Sequence, residues 1–91
     1  MQYVICYDIA DERRRSHVAE FLKNFGPRIQ ESVFCAHLDE ALAAKMIEKL
    51  PALIDEHLDS VHVFVLCNAC ERKAQAFGVA QLPVDRDYYI L

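Results

Sequence analysis

The chain has 91 residues, 54% hydrophobic and 26% charged, with 14 acidic against 10 basic side chains and a formal net charge of −4. That length allows one compact domain and no second. The low glycine and proline content (2 and 3 residues), with abundant branched aliphatics, excludes a disordered or low-complexity chain. Apolar runs such as Val61 to Cys67 are far too short to span a bilayer, and the opening Met1-Gln2-Tyr3 lacks the basic start of a signal peptide, so a cytoplasmic protein with no membrane partner is expected.

Tyr3-Val4-Ile5-Cys6-Tyr7 is β-branched and aromatic and predicts a first strand that delivers Asp8 at its carboxyl end. Asp11 then caps a helix from Glu12 to Phe25, with Val18, Phe21, Leu22 and Phe25 on one apolar stripe and Gly26-Pro27 as the stop. Arg28 to Leu38 returns to β character as one long strand or as two short ones hinged near Glu31 and Ser32. Asp39 caps a second helix whose Leu42, Met46, Ile47, Leu50, Leu53 and Ile54 share a side, and Pro51 predicts a kink or a restarted turn. Val61 to Leu66 is the strongest strand, followed by a short helix from Ala69 to Phe77 ending at Gly78. Tyr88 to Leu91 reads as a terminal strand set apart by Pro83 and Asp85-Arg86-Asp87, and no internal repeat or linker is visible.

This order predicts an α+β fold of ferredoxin-like sandwich type, two helices on one face of an antiparallel sheet, as a single domain over residues 1–91 with 79–91 as a C-terminal strand extension. Both faces of the first and last core strands are apolar: Tyr3, Ile5 and Tyr7 oppose Val4 and Cys6, and Val61, Val63 and Val65 oppose His62, Phe64 and Leu66. Two helices cover one face only, so a homodimer or the chain's own tail is expected over the other.

Four cysteines without a secretion signal read as reduced thiols, with Cys6 and Cys35 as small buried hydrophobes. Cys67 and Cys70 form a C-x-x-C pair that supplies half of a zinc site, but no second pair has matching spacing and no zinc is assigned. Its position after the third apolar stretch, rather than at a first strand-to-helix turn, argues against a thioredoxin-like redox pair. The acidic net charge speaks against a nucleic-acid partner, yet residues 13–28 carry Arg13, Arg14, Arg15, Lys23 and Arg28 against Glu20 alone. That segment is either a basic patch on an acidic surface or a solvated helix start.

Tyr7-Asp8-Ile9 closing the first strand, arginines opening the first helix, Gly26-x-x-x-Gln30-x-Ser32-Val33-Phe34 and a late apolar strand before C-x-x-C together closely resemble the small CRISPR-associated spacer-acquisition proteins of the Cas-two family, the CRISPR-associated endoribonucleases. The resemblance covers nearly the whole chain. It implies a ferredoxin-like homodimer in which the aspartates ending the two first strands, here Asp8, face each other and share a magnesium ion. It also implies a metal-dependent endonuclease on single-stranded RNA or double-stranded DNA or, alternatively, a non-catalytic DNA-binding scaffold between dimers of the partner integrase, Cas-one. Tyr7, Arg14, Arg15, Arg28 and Phe34 are the nucleic-acid-binding residues so implied, with Arg15 and Arg28 on phosphates and Phe34 stacking on a base or sugar. His17 stands where some relatives place a second arginine, and Tyr88 to Leu91 are expected at the dimer or integrase interface.

Each residue also has a plainer reading: Asp8 as a turn or cap, Phe34 and Tyr7 as core, Arg28 as a charge guarding a strand edge. His37, His57 and His62 show no ligand spacing and read as structural or surface residues, none clearly a general base. A ferredoxin-like small-ligand sensor with no polynucleotide affinity is the third functional class compatible with the acidic charge.

Overall fold

The computed structural model describes residues 1–78; the expected terminal strand and the extension over 79–91 lie outside them. The elements in chain order are β1 (Gln2–Asp8), α1 (Glu12–Leu22), β2 (Arg28–Gln30), β3 (Val33–His37), α2 (Glu40–Lys49), a 3-10 turn (Leu50–Leu53), β4 (Ser60–Leu66) and α3 (Asn68–Lys73). The four strands form one antiparallel sheet in the order β2-β3-β1-β4, so the first strand is central and β4 lies at an edge. Among the described residues no helix is long and apolar enough to cross a membrane.

Register fixes which residues share a face. Ile5 lies opposite Phe34 on β3 and Val63 on β4, and Tyr3 opposite Ala36 and Val65. Tyr3, Ile5, Tyr7, Phe34 and Ala36 are all buried and join Val18, Ala19 and Leu22 of α1 with Ala43, Met46 and Leu50 in one core. Full burial of side chains such as Ile5, Leu22 and Met46 contributes about 1.5–3 kcal/mol each before chain entropy is subtracted. On the opposite face Val4 and Cys6 are only half-buried and Phe64 is 53% exposed. The end of that face at the start of β1 is different: α3 brings Glu71 against His37, whose Nε2 lies 3.3 Å from the carboxylate, and Gln2, Cys35 and Glu71 are buried there.

Both caps form as expected. Asp11 accepts from the Arg14 amide at 2.9 Å and Asp39 from the Leu42 amide at 2.8 Å, satisfying helix N–H groups that have no partner within the helix. The Arg28 to Leu38 stretch resolves into two strands broken at Glu31 and Ser32, and Pro51 restarts the chain as a 3-10 turn.

Three expectations need correction. The first helix ends at Leu22 rather than Phe25, because the amides of Phe25 and Gly26 turn back onto the Leu22 carbonyl. Gly26 is required by contact rather than by a left-handed cap: a Cβ there would collide with the Cys35 carbonyl and stand 2.7 Å from the Ala36 Cα. In α2 the buried stripe is Ala43 and Met46, continuing to Leu50, while Leu42 and Ile47 are 44% and 46% exposed. The last helix covers Asn68–Lys73, short of Phe77, and Gly78 takes a positive φ of 70°.

Candidate functional site

Asp8 is the last residue of β1 and is exposed, opposite Ser60 at the first position of β4. Its neighbours are held from both sides. The Tyr7 amide donates to the Ser32 carbonyl at 3.1 Å and the Tyr7 hydroxyl donates to the Glu31 carbonyl at 3.3 Å, clasping the strand end to the β2–β3 turn. After Asp8, Ile9 is buried, and Arg15 Nη1 donates to the carbonyls of Ile9 and Ala10, each at 3.1 Å. A guanidinium on the first helix thus satisfies two loop carbonyls and fixes the exit of the strand.

Arg14 braces the same corner. Its Nε and Nη2 donate to the two carboxylate oxygens of Asp59 at 2.8 and 3.2 Å, and the Asp59 side chain is fully enclosed, also accepting the Asp55 amide at 2.8 Å. This bidentate pair ties the start of α1 to the turn that leads into Ser60. The Arg14 hydrogen bond, then the Asp55 amide, hold the Asp59 carboxyl below the usual carboxylate range against the opposing effect of burial, and the same bond raises Arg14.

The expected site residues therefore divide. Asp8, Tyr7, Arg14 and Arg15 gather at one end of the sheet. Asp8 alone among them points an exposed carboxylate outward, while Tyr7 is 5% exposed and serves that corner by its hydroxyl hydrogen bond. Phe34 is 1% exposed, in the core, stacked at 6.2 Å from the Tyr7 ring, with the Arg28 guanidinium 5.3 Å from its centroid. The expectation that Phe34 offers an open face to a base or sugar is corrected accordingly: both faces are taken by protein groups. Arg28 and Arg13 are exposed.

Asp55 and Asp59 carry no mark of this role in the sequence, because a partner 45 positions from Arg14 has no local signature. Ser60 and His62 are likewise placed by register on the face that carries Asp8, since His62 lies opposite Cys6, and His62 is exposed with its ring against Phe64 at 6.0 Å. Among the described residues no group of three or more His, Cys, Asp or Glu side chains converges as a metal-binding cluster.

Comparison with known proteins gives this arrangement a family. The model of CRISPR-associated protein Cas2 matches residues 1–74. A protein named CRISPR-associated endoribonuclease Cas2 4 from Rhodospirillum rubrum is 35% identical over 91 residues, 99% of this chain and 73% of the relative. A CRISPR-associated endonuclease Cas2 2 from Thermus thermophilus is 34% identical over 89 residues, 98% of this chain and 94% of its own. Among solved structures, a hypothetical protein TT1823 from Thermus thermophilus superposes with a TM-score of 0.80 at 32% identity, covering 91% of this chain and 96% of the other. Streptococcus pyogenes Cas2 does so with a TM-score of 0.75 at 29% identity, covering 86% and 100%. A family match over most of the chain, near full-length relatives and the same architecture in solved structures lead to one conclusion: this chain belongs to the family of CRISPR-associated protein Cas2.

Proposed function

We propose that the chain is a magnesium-dependent endonuclease of CRISPR adaptation, acting in the cytoplasm on single-stranded RNA or double-stranded DNA as a ferredoxin-like homodimer in which two copies of Asp8 hold one cation. The observation that carries this reading is the exposed Asp8 carboxylate at the end of the central strand, with both flanks of the strand end fixed by Tyr7 and Arg15. The names of the relatives, endoribonuclease and endonuclease, support the same class of activity.

The β-α-β-β-α-β order with strand order β2-β3-β1-β4 supports the ferredoxin-like assignment. The half-exposed Val4 and Cys6 and the exposed Phe64 on the face opposite α1 and α2 support burial against a second copy. Asp8 fits magnesium, which prefers hard oxygen donors, uses one or two carboxylates and keeps several waters, as an exposed position permits. When bound, the ion supplies Lewis-acid polarisation of a phosphoryl oxygen. The protein supplies the rest: Asp8 localises the charge, Arg15 and Tyr7 keep its backbone from shifting, and Arg13 and Arg28 offer charge-assisted hydrogen bonds to backbone phosphates. Arg14 acts one step back, through Asp59, and Phe34 carries Arg28 on its ring rather than meeting a base.

A second reading, a DNA-binding scaffold joined to Cas-one integrase dimers, is supported by the exposed Arg13 and Arg28, which suit backbone phosphates whether or not a bond is cut. Cleavage of single-stranded RNA and double-stranded DNA by the purified protein, with magnesium or chelator, decides between them when run beside Asp8→Ala. The nuclease reading expects cutting that needs both the ion and Asp8. Equal cutting by the variant, or none by either protein while DNA is still bound, rejects it in favour of the scaffold.

A further inference from the structure

The C-x-x-C pair is not used by the site at Asp8, and the structure gives it a setting of its own. β4 ends at Leu66, Cys67 is the N-cap of α3 with an extended backbone (φ −70°, ψ 167°), and Cys70 follows one turn on. The motif thus occupies a strand-to-helix turn, contrary to its placement by strand count. Both thiols are exposed, whereas Cys6 is half-buried and Cys35 is buried in the sheet. Cys67 and Cys70 hold the cap and third positions of one turn, without a capping hydrogen bond from the Cys67 side chain, and the nearby Cys70 amide and thiol favour the Cys67 thiolate, holding Cys67 below the ordinary cysteine value and pushing Cys70 up. An accessible sulfur biased to the thiolate, with a second thiol beside it, is the arrangement of an attacking and a resolving cysteine.

We propose that Cys67 and Cys70 are a reversible dithiol–disulfide site that exchanges with low-molecular-weight disulfides and, when closed, clamps the first turn of α3. The Cys67 thiolate attacks one sulfur of the small disulfide, forming a mixed disulfide and expelling one thiolate. Cys70, losing its proton to solvent, attacks the Cys67 sulfur, closes the intramolecular bond and expels the second thiolate. Two protein thiols are oxidised and one small disulfide is reduced to two thiols. Closure needs the two Cβ atoms, about 5–6 Å apart on a regular helix, to approach to about 3.5–4.5 Å. Cys67 stands outside the helix, so rotation about its backbone and χ1 supplies that movement without unwinding Asn68–Lys73. The next residue, Glu71, is the one α3 buries against His37, so the clamp acts on the turn that seats the helix on the sheet.

The test equilibrates the full chain in mixtures of reduced and oxidised glutathione, traps free thiols by alkylation, and reads intact mass and linked peptides, beside Cys67→Ser and Cys70→Ser. Oxidising mixtures are expected to remove two of the four alkylatable thiols, to give a Cys67–Cys70 linked peptide reversed by dithiothreitol, and to slow amide exchange over residues 68–73. Cys70→Ser should accumulate a glutathione adduct on Cys67, and Cys67→Ser should accumulate less on Cys70. Retention of all four thiols, or a bond that involves Cys6, Cys35 or a second copy, overturns the exchange site, and a Cys67–Cys70 bond that leaves exchange over 68–73 unchanged overturns the clamp. None of these readouts depends on cleavage, so the outcome is separate from that at Asp8.

Discussion

Replacing Phe34 by leucine separates the core role of its ring from a role on nucleic acid. The wild-type ring is 1% exposed and stacks with Tyr7 at 6.2 Å and 27°. Arg28 lies 5.3 Å over it. Leucine keeps the site apolar but removes the aromatic pair, about 0.5–1.5 kcal/mol, and the cation–π contact, about 0.5–1 kcal/mol at an exposed guanidinium. These two losses together are about 1–2.5 kcal/mol, and imperfect refilling of the space adds to them. At a urea dependence of about 1–2 kcal/mol per molar for a small domain, the unfolding midpoint should fall by roughly 1 M with the slope unchanged. Protomer concentration must be held fixed, because any self-association adds to apparent stability. Phe34→Ala would lose about 3–5 kcal/mol, a large share of a total of about 5–15 kcal/mol, which is why leucine is the informative variant. Folded Phe34→Leu should bind single-stranded RNA at low salt within about twofold of wild type, ~0.4 kcal/mol. An unchanged midpoint together with a tenfold loss of affinity, about 1.4 kcal/mol, would refute the packing argument and restore the ring to the nucleic-acid surface.

Asp59 carries a pH signature: its folded carboxyl lies below its unfolded value, so its contribution to stability is complete above the unfolded pKa of about 3.9 and is lost as pH falls through the depressed folded value. Asp59→Asn should therefore lower stability at neutral pH and flatten the acid limb of a stability–pH curve; an unchanged limb would mean that the Arg14 pair is not maintained in solution. Gly26→Ala should cost about 1–3 kcal/mol through overpacking against the Cys35 carbonyl, lowering the melting temperature by at least about 4 °C, and a neutral result would show that the β3 backbone gives way at that point. Asp8→Ala, an exposed change, should stay within about 0.5 kcal/mol of wild type in urea unfolding, so that loss of cleavage in the same variant reports chemistry rather than folding.

The parts of the fold legible from sequence are those fixed by near neighbours. The Asp11 and Asp39 caps, the alternation along Tyr3 to Tyr7, the hinge at Glu31 and Ser32 and the restart at Pro51 all follow from residues within a few positions of each other. The buried face of α2 was harder to read, because Leu42 and Ile47 flank Met46 as one broad apolar band. The sheet accepts only the narrower stripe through Ala43 and Met46. At the site, Asp8 at a strand end is a local feature and Arg14 and Arg15 are local to α1. What Arg14 holds is not: Asp59 comes from the turn before β4, 45 positions away, whereas Arg15 reaches the Ile9 and Ala10 carbonyls only six and five positions back.

The central place of β1 bears on synthesis. It is made before both of its neighbours, which are built from residues 33–37 and 60–66, so both rows of its peptide groups stay unpaired until those segments follow. β3 can close one side as soon as it appears. The other side waits for β4, and until then the nascent protein carries an aromatic and β-branched segment with an open edge, a template for pairing with other copies. A chain halted before Ser60 would keep that edge permanently, so premature termination in this small protein should yield aggregates rather than an inert fragment.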